Sequence, residues 1–184
     1  MGLGWGVAKR LFIGLELPES SRVMLAKLDP EVRDVRWLPA ERLHLTMSFL
    51  GQVEAEQEER LRAAISGVRV PPFFLPIEGV GAFGGERPST VWAGVGKGHP
   101  HLFALHKHIQ DAVLQAGLEP DLRAFHPHIT LGRAKNVPRH NLRRFLQKYE
   151  KTEFDLFQVT GFVLFSSVLS REGATYTVEM RREF

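Results

Sequence analysis

The sequence contains no cysteine. Disulfides, thiolate metal sites and a cysteine nucleophile are therefore excluded, and the absence is compatible with a reducing compartment. Long apolar runs are missing as well. The stretch Leu11 to Leu15 is interrupted by Glu16 and stopped by Pro18, far short of the roughly 20 residues that a membrane-spanning helix needs. There is no low-complexity linker and no long run of one charge sign. The start of the chain lacks the order of a secretory signal, because the glycine-rich stretch Met1 to Ala8 precedes the first basic residues, Lys9 and Arg10. Residues 1–8 read as a flexible leader, residues 9–184 as a single domain, and the protein as cytoplasmic, with no membrane and no protein partner expected.

What is present is ordinary for a globular chain. Hydrophobic residues make up 43% of the 184 positions and charged residues 24%, which rules out a collagenous, coiled-coil or wholly disordered protein. A chain of this length buries roughly 70% of its unfolded surface and folds without staples. Lys and Arg outnumber Asp and Glu by 24 to 21, a mild excess that permits an anionic partner without requiring one.

Arg10 to Leu17 reads as a strand ahead of Pro18, which opens a helix carrying Ser21, Met24, Leu25 and Leu28 on one face. Asp29-Pro30 ends that helix. Arg42 to Leu50 is the clearest strand. Period two puts Leu43, Leu45, Met47 and Phe49 on one face and His44, Thr46 and Ser48 on the other. Further helices are expected over 54–66, 101–116 and 138–149. Further strands are expected over 73–83, 90–95, 128–132, 154–165 and 174–182. Strands and helices mix without strict alternation and hairpins are present, so the class is α+β rather than a doubly wound parallel sheet.

One short pattern occurs twice: His44-Leu45-Thr46-Met47 and His128-Ile129-Thr130-Leu131. With 8 His and 7 Thr in the chain, chance supplies about 0.3 His-x-Thr pairs, a rough weight against motif false positives. Both pairs lie in strand-like runs with apolar residues between, so each histidine shares a face with its threonine while the other face packs inward. One His-x-Thr alone is usually the solvated face of a half-buried strand. Two in matched contexts are different. Trp37-Leu38-Pro39 precedes the first and Phe125-His126-Pro127 the second, and Gly51 and Gly132 close the two strands. This looks like an internal duplication supplying one histidine from each copy. Two imidazoles divide acid–base work, one neutral and accepting a proton, the other charged and giving one. Threonine hydroxyls beside them donate hydrogen bonds to phosphate oxygens. No metal or other cofactor is needed for that chemistry.

The paired motifs, 84 residues apart, resemble the hallmark of the two-histidine phosphoesterase superfamily. The flanking text, Arg10 to Leu15, Trp37 to Pro39, His44 to Gly51, Phe125 to Arg133, Leu164 to Ser167 and Gly173 to Tyr176, is similar to the bacterial and archaeal RNA 2′,3′-cyclic phosphodiesterases, also named 2′–5′ RNA ligases. The resemblance covers about residues 9–182. It implies a bilobal pseudo-symmetric α+β fold, with two antiparallel sheets and outer helices around a central cleft. It implies hydrolysis of a terminal RNA 2′,3′-cyclic phosphate to a 2′-phosphomonoester, with reversible 2′–5′ ligation. The partners would be RNA ends or small cyclic-phosphate nucleotides. By motif, His44 would be the proton donor, His128 the proton acceptor, Thr46 and Thr130 would hold the non-bridging oxygens and Arg133 would bind the phosphate. A reversed acid–base assignment uses the same residues. The alternative is a non-catalytic module that binds RNA ends or nucleotide phosphates.

Other residues read more plainly. His99, His101, His106 and His108 lack the i+3 or i+4 spacing of helical metal ligands and are expected on a helix surface. His126 reads as structural or supporting. The basic stretch from Arg133 to Lys148 reads as a solvated face or, equally, as a surface steering RNA. Phe12, Trp37 and Phe49 are candidates for stacking a base, and of these Phe49 is expected instead to pack in the core with Leu43, Leu45 and Met47.

Overall fold

The computed structural model describes residues 7–28, 32–96, 98–171 and 173–184. Most of the expected leader and the Asp29-Pro30 helix stop lie outside these residues. The elements run β1 (Lys9–Glu16), α1 (Glu19–Ala26), β2 (Val35–Trp37), a short 3₁₀ turn (Ala40–Arg42), β3 (His44–Val53), α2 (Ala55–Ser66), β4 (Phe73–Phe83), β5 (Thr90–Val95), α3 (Pro100–Gln115), β6 (His128–Ala134), α4 (Arg139–Tyr149), β7 (Glu153–Val159), β8 (Gly161–Ser170) and β9 (Gly173–Glu183).

The expected helices are all present. The α3 stripe Leu102, Leu105, Ile109, Ala112 and Val113 is buried, and Gly117 follows in the left-handed region at φ 77°, the conformation that a helix end favours and that glycine adopts without strain. On α2 the Glu54 backbone N–H donates to the Gln57 side chain at 3.2 Å, satisfying one of the free donors at the helix start.

The strands form one antiparallel sheet in the order β7-β4-β5-β6-β3-β1-β8-β9, with β2 alongside β6. Two four-stranded runs are visible, β7-β4-β5-β6 and β3-β1-β8-β9. Among the described residues they meet at β3 and β6 through a single register pair, Leu45 with Ile129. The helices cover one face. There Leu45, Ile129, Leu61, Ile65, Leu105 and Ile109, each 0% exposed, belong to one continuous core.

Two departures from the sequence reading have physical causes. The strand expected over 154–165 is two strands, because β7 pairs with β4 in one run while β8 pairs with β1 in the other. At the break, a Cβ on Gly161 would lie 2.2 Å from the Arg182 carbonyl oxygen, so only glycine lets β9 approach. The second departure is in β3. Ile13 pairs with Ser48 but Gly14 with Thr46, so Met47 is an extra residue, a β-bulge. A bulge reverses the phase of alternation. Ser48 is therefore buried at 2% exposure and Phe49, expected in the core, is 49% exposed. The second motif repeats the device. Val91 pairs with Gly132 but Trp92 with Thr130, leaving Leu131 as the extra residue.

Leu45→Ala should lower the unfolding free energy by about 2–5 kcal/mol, the cost of emptying a filled core position. Urea unfolding followed by circular dichroism measures this, and an unchanged midpoint would show that the rung between the two runs does not carry stability.

Candidate active site

The Leu45–Ile129 pair fixes the array. Carried one residue to either side, the antiparallel register sets His44 across from Thr130 and Thr46 across from His128, on strands about 4.8 Å apart. All four lie on the face opposite the core and all are half-buried.

Each imidazole is oriented in the same way. His44 Nδ1 lies 2.8 Å from the Arg42 carbonyl oxygen and His128 Nδ1 lies 2.7 Å from the His126 carbonyl oxygen. A carbonyl only accepts, so Nδ1 carries the proton in both rings and Nε2 is the atom that titrates. His44 Nε2 is 3.1 Å from Thr46 Oγ1. When the ring is neutral the hydroxyl donates to it. When the ring is charged Nε2–H donates instead, and the threonine proton is released for another acceptor.

Aromatic rings enclose both histidines. Phe12 at 4.9 Å, Tyr176 at 5.1 Å and Phe165 at 6.1 Å surround His44. Phe83 meets His128 edge-on at 4.9 Å and Trp92 lies at 6.4 Å. Two glycines make room: a Cβ on Gly14 would sit 2.9 Å from the Leu45 carbonyl oxygen, and one on Gly81 would overlap the Trp92 indole at 2.2 Å.

The bulges decide which residues join the array. After Met47 and Leu131 the phase flips, so the fifth residue past each histidine returns to the polar face. In the first motif this is Phe49, 6.3 Å from Phe12, with the Arg123 guanidinium 6.0 Å from its ring centre. In the second it is Arg133, which donates to Thr90 Oγ1 at 2.7 Å. Burial lowers both imidazole pKa values below the ordinary 6.5. The Arg42 and His126 carbonyls oppose that shift, and Arg133 adds to it at both rings. His128 also depresses His44. Tyr176 is raised by burial, with Arg133, Arg42 and Arg10 working against the rise.

The structure thus brings His44, Thr46, His128, Thr130 and Arg133 together, with Phe12 beside His44 and Phe49 on the same face rather than in the core. It does not bring Trp37, which pairs with Gly132 on β2 and packs on Phe145 at 5.2 Å. His126 serves through its carbonyl. His106, expected on the helix surface, is half-buried and stacked on Phe125 at 3.9 Å. Tyr176, Phe165, Phe83 and Trp92 were missed as site residues, because period two alone does not tell which face of a distant strand meets the motifs. Among the described residues no three His, Asp or Glu come together as metal ligands, and no helix is long and apolar enough to cross a membrane.

An array of two imidazoles, two hydroxyls and a guanidinium on one curled sheet defines a class, the phosphoesterases with paired histidine motifs. The profile of the 2′-5′ RNA ligase superfamily matches residues 17–170, and the chain belongs to that family. It is 32% identical over 178 residues to the RNA 2′,3′-cyclic phosphodiesterase of Aquifex aeolicus, covering 92% of this chain and 94% of that one. The crystal structure of Escherichia coli LigT in apo form superposes with a TM-score of 0.78 at 29% identity, over 97% of this chain and 98% of that one. LigT complexed with 3′-AMP gives 0.77 at 30% identity, over 96% and 98%.

Replacing Arg133 with Gln removes the cation that disfavours a second positive charge at both rings. Both imidazole titration midpoints, measured by NMR, should move up toward 6.5, and midpoints that stay put would show that Arg133 does not act on the pair. The depressed midpoints also carry a stability consequence with a definite sign. As pH falls through 6.5 the unfolded chain takes up these protons before the folded one, so this contribution is intact above 6.5 and is lost down to the folded-state midpoints. Replacing both histidines with Gln should flatten that part of the stability profile.

Proposed function

We propose that the protein hydrolyses a terminal RNA 2′,3′-cyclic phosphate to a 2′-phosphomonoester, with reversible 2′–5′ joining as the same chemistry run with an alcohol. The observation that carries this reading is the matched pair of imidazoles, each pinned at Nδ1 by the carbonyl two residues upstream and presenting Nε2 to the same face. The complex of the neighbouring LigT with 3′-AMP supports a nucleotide carrying phosphate on its ribose as the kind of ligand this cleft accepts.

Attack by water on phosphorus needs a base at the entering oxygen and an acid at the departing 3′-oxygen. His128 suits the base. No hydrogen-bond partner occupies its Nε2 among the described residues, and it borders an open cavity. His44 suits the acid. Once charged it donates Nε2–H, and Thr46 turns its own proton to a non-bridging oxygen. Thr130 holds the second such oxygen, and Arg133 supplies fixed positive charge where negative charge develops. The bound phosphate anion also offsets the repulsion from Arg133, so the proton that His44 needs becomes easier to hold when substrate arrives. The chain's own residues supply every proton transfer in this scheme, and the reaction is expected to proceed without added metal.

The test is turnover of a short RNA ending in a 2′,3′-cyclic phosphate, with EDTA present, resolving 2′- from 3′-phosphate. The 2′-phosphate is expected. The 3′-phosphate would mean that the leaving oxygen is misassigned, and no product would favour a phosphate-binding module. His44→Ala and His128→Ala should each cost on the order of 10²–10⁴ in rate, and near-full activity in either removes that histidine from the mechanism. The pH dependence of kcat/KM should be bell-shaped with its maximum below 6.5, because burial lowers both free-enzyme midpoints. The kcat profile should lie at higher pH, because bound anion raises them. Coincident profiles would contradict the coupling.

A further inference from the structure

Beyond His44 and Thr130 the two central strands lead to Arg42 on one side of the cleft and to Arg133 on the other. Arg36 lies directly across from Arg133 in the register of β2 with β6, so their side chains leave the same face of the sheet. The start of β9 meets this group. A Cβ on Gly173 would come within 2.9 Å of both Arg42 Nη1 and Arg36 Nη2, so the two guanidinium groups converge on one spot. Gly173 sits at φ 119°, which glycine adopts without strain, and its lack of a side chain gives the guanidinium groups their room.

Like charges directly opposite one another destabilise a sheet. Here two arginines face each other across one rung, and a third joins them from the turn before β3. The carboxylate that the register puts beside His44, Glu16, is paired with Arg181 at 2.8 Å. Arg133, Arg42 and Arg10 each oppose the rise of the Tyr176 pKa, so positive potential gathers at this end of the cleft. An anion suits such a cluster, because a guanidinium grips phosphate oxygens through parallel N–H donors.

The position of the cluster says which anion. In the reaction proposed above the 3′-oxygen departs toward His44, so the ribose that carries the cyclic phosphate lies at this same end. The phosphodiester joining that nucleotide to the rest of an RNA strand is one ribose away from the cyclic phosphate. Arg42 is next to the array, since its carbonyl holds His44 Nδ1 at 2.8 Å, and Arg36 is one rung from Arg133. Arg133 serves the cyclic phosphate, which leaves the converging Arg36 and Arg42 for the anion that follows it. A free cyclic mononucleoside carries no charge at that place.

We infer that Arg36 and Arg42 form a subsite for the phosphodiester immediately 5′ of the cyclic end, which makes the ends of RNA strands better substrates than free cyclic mononucleosides. This assignment rests on the phosphodiesterase reading above.

The experiment gives the protein three substrates: adenosine 2′,3′-cyclic phosphate, the dinucleotide ApA with a 2′,3′-cyclic phosphate end, and the same dinucleotide with an uncharged methylphosphonate link. The phosphodiester dinucleotide should exceed the methylphosphonate in kcat/KM by about tenfold or more, as hydrogen bonds to a charged group predict, with the difference mainly in KM. The mononucleoside should resemble the methylphosphonate. Added KCl should shrink the advantage, because salt screens exposed charges. In Arg36→Gln the ratio of the two dinucleotides should fall toward one. Equal kcat/KM for the two dinucleotides, both being hydrolysed, would overturn the subsite and leave the phosphodiesterase reading standing. So would a mononucleoside as good as the phosphodiester dinucleotide, or a high ratio that Arg36→Gln does not lower. Turnover of none of the three would overturn both.

Discussion

The site depends on one rung of sheet. Among the described residues Leu45 and Ile129 are the only register pair between the two four-stranded runs, and both are fully buried against the helices. Successive side chains of a strand point to opposite faces, so holding these two inward aims His44, Thr46, His128 and Thr130 outward together. A slip of one residue would bury the polar set and expose the apolar one. Hydrophobic burial, which has no direction of its own, thus sets the geometry of groups whose chemistry is strongly directional.

That arrangement has an electrostatic consequence. Burial of the two histidines and the nearby Arg133 disfavour imidazolium, so the site holds fewer protons than two free histidines would. An anion placed among them would offset that repulsion and favour a proton on one ring. In the proposed mechanism binding and protonation are therefore linked, and the acid would form when a phosphate is present to use it.

The motifs were legible because alternation and apolar spacing are local properties of His44 to Met47 and His128 to Leu131. The helices were legible for the same reason, and the stripe Leu102, Leu105 and Ile109 lies where its spacing placed it. Phe49 was misread because strict period two was carried through Met47, and no residue type there announces a bulge. Arg133, five residues past His128, would also have been assigned to the wrong face by alternation, and it reached the reading through the family resemblance. The bulge at Leu131 supplies the physical reason for its place. The join between β7 and β8 was hidden because an apolar stretch does not record that its two halves serve different ends of the sheet.

The strand order has a consequence for how the molecule is made. Strands β4 to β7 come from one contiguous stretch, residues 73–159, whereas the run containing β1 and β3 also needs β8 and β9, which follow that stretch. On a ribosome the His128 run has all its strands before the His44 run does. β1 emerges before all of these and must wait, its backbone edge on the β8 side unpaired, until residues 161–183 follow. The run carrying His128 is thus assembled first, and the run carrying His44 is closed against it by residues 161–183.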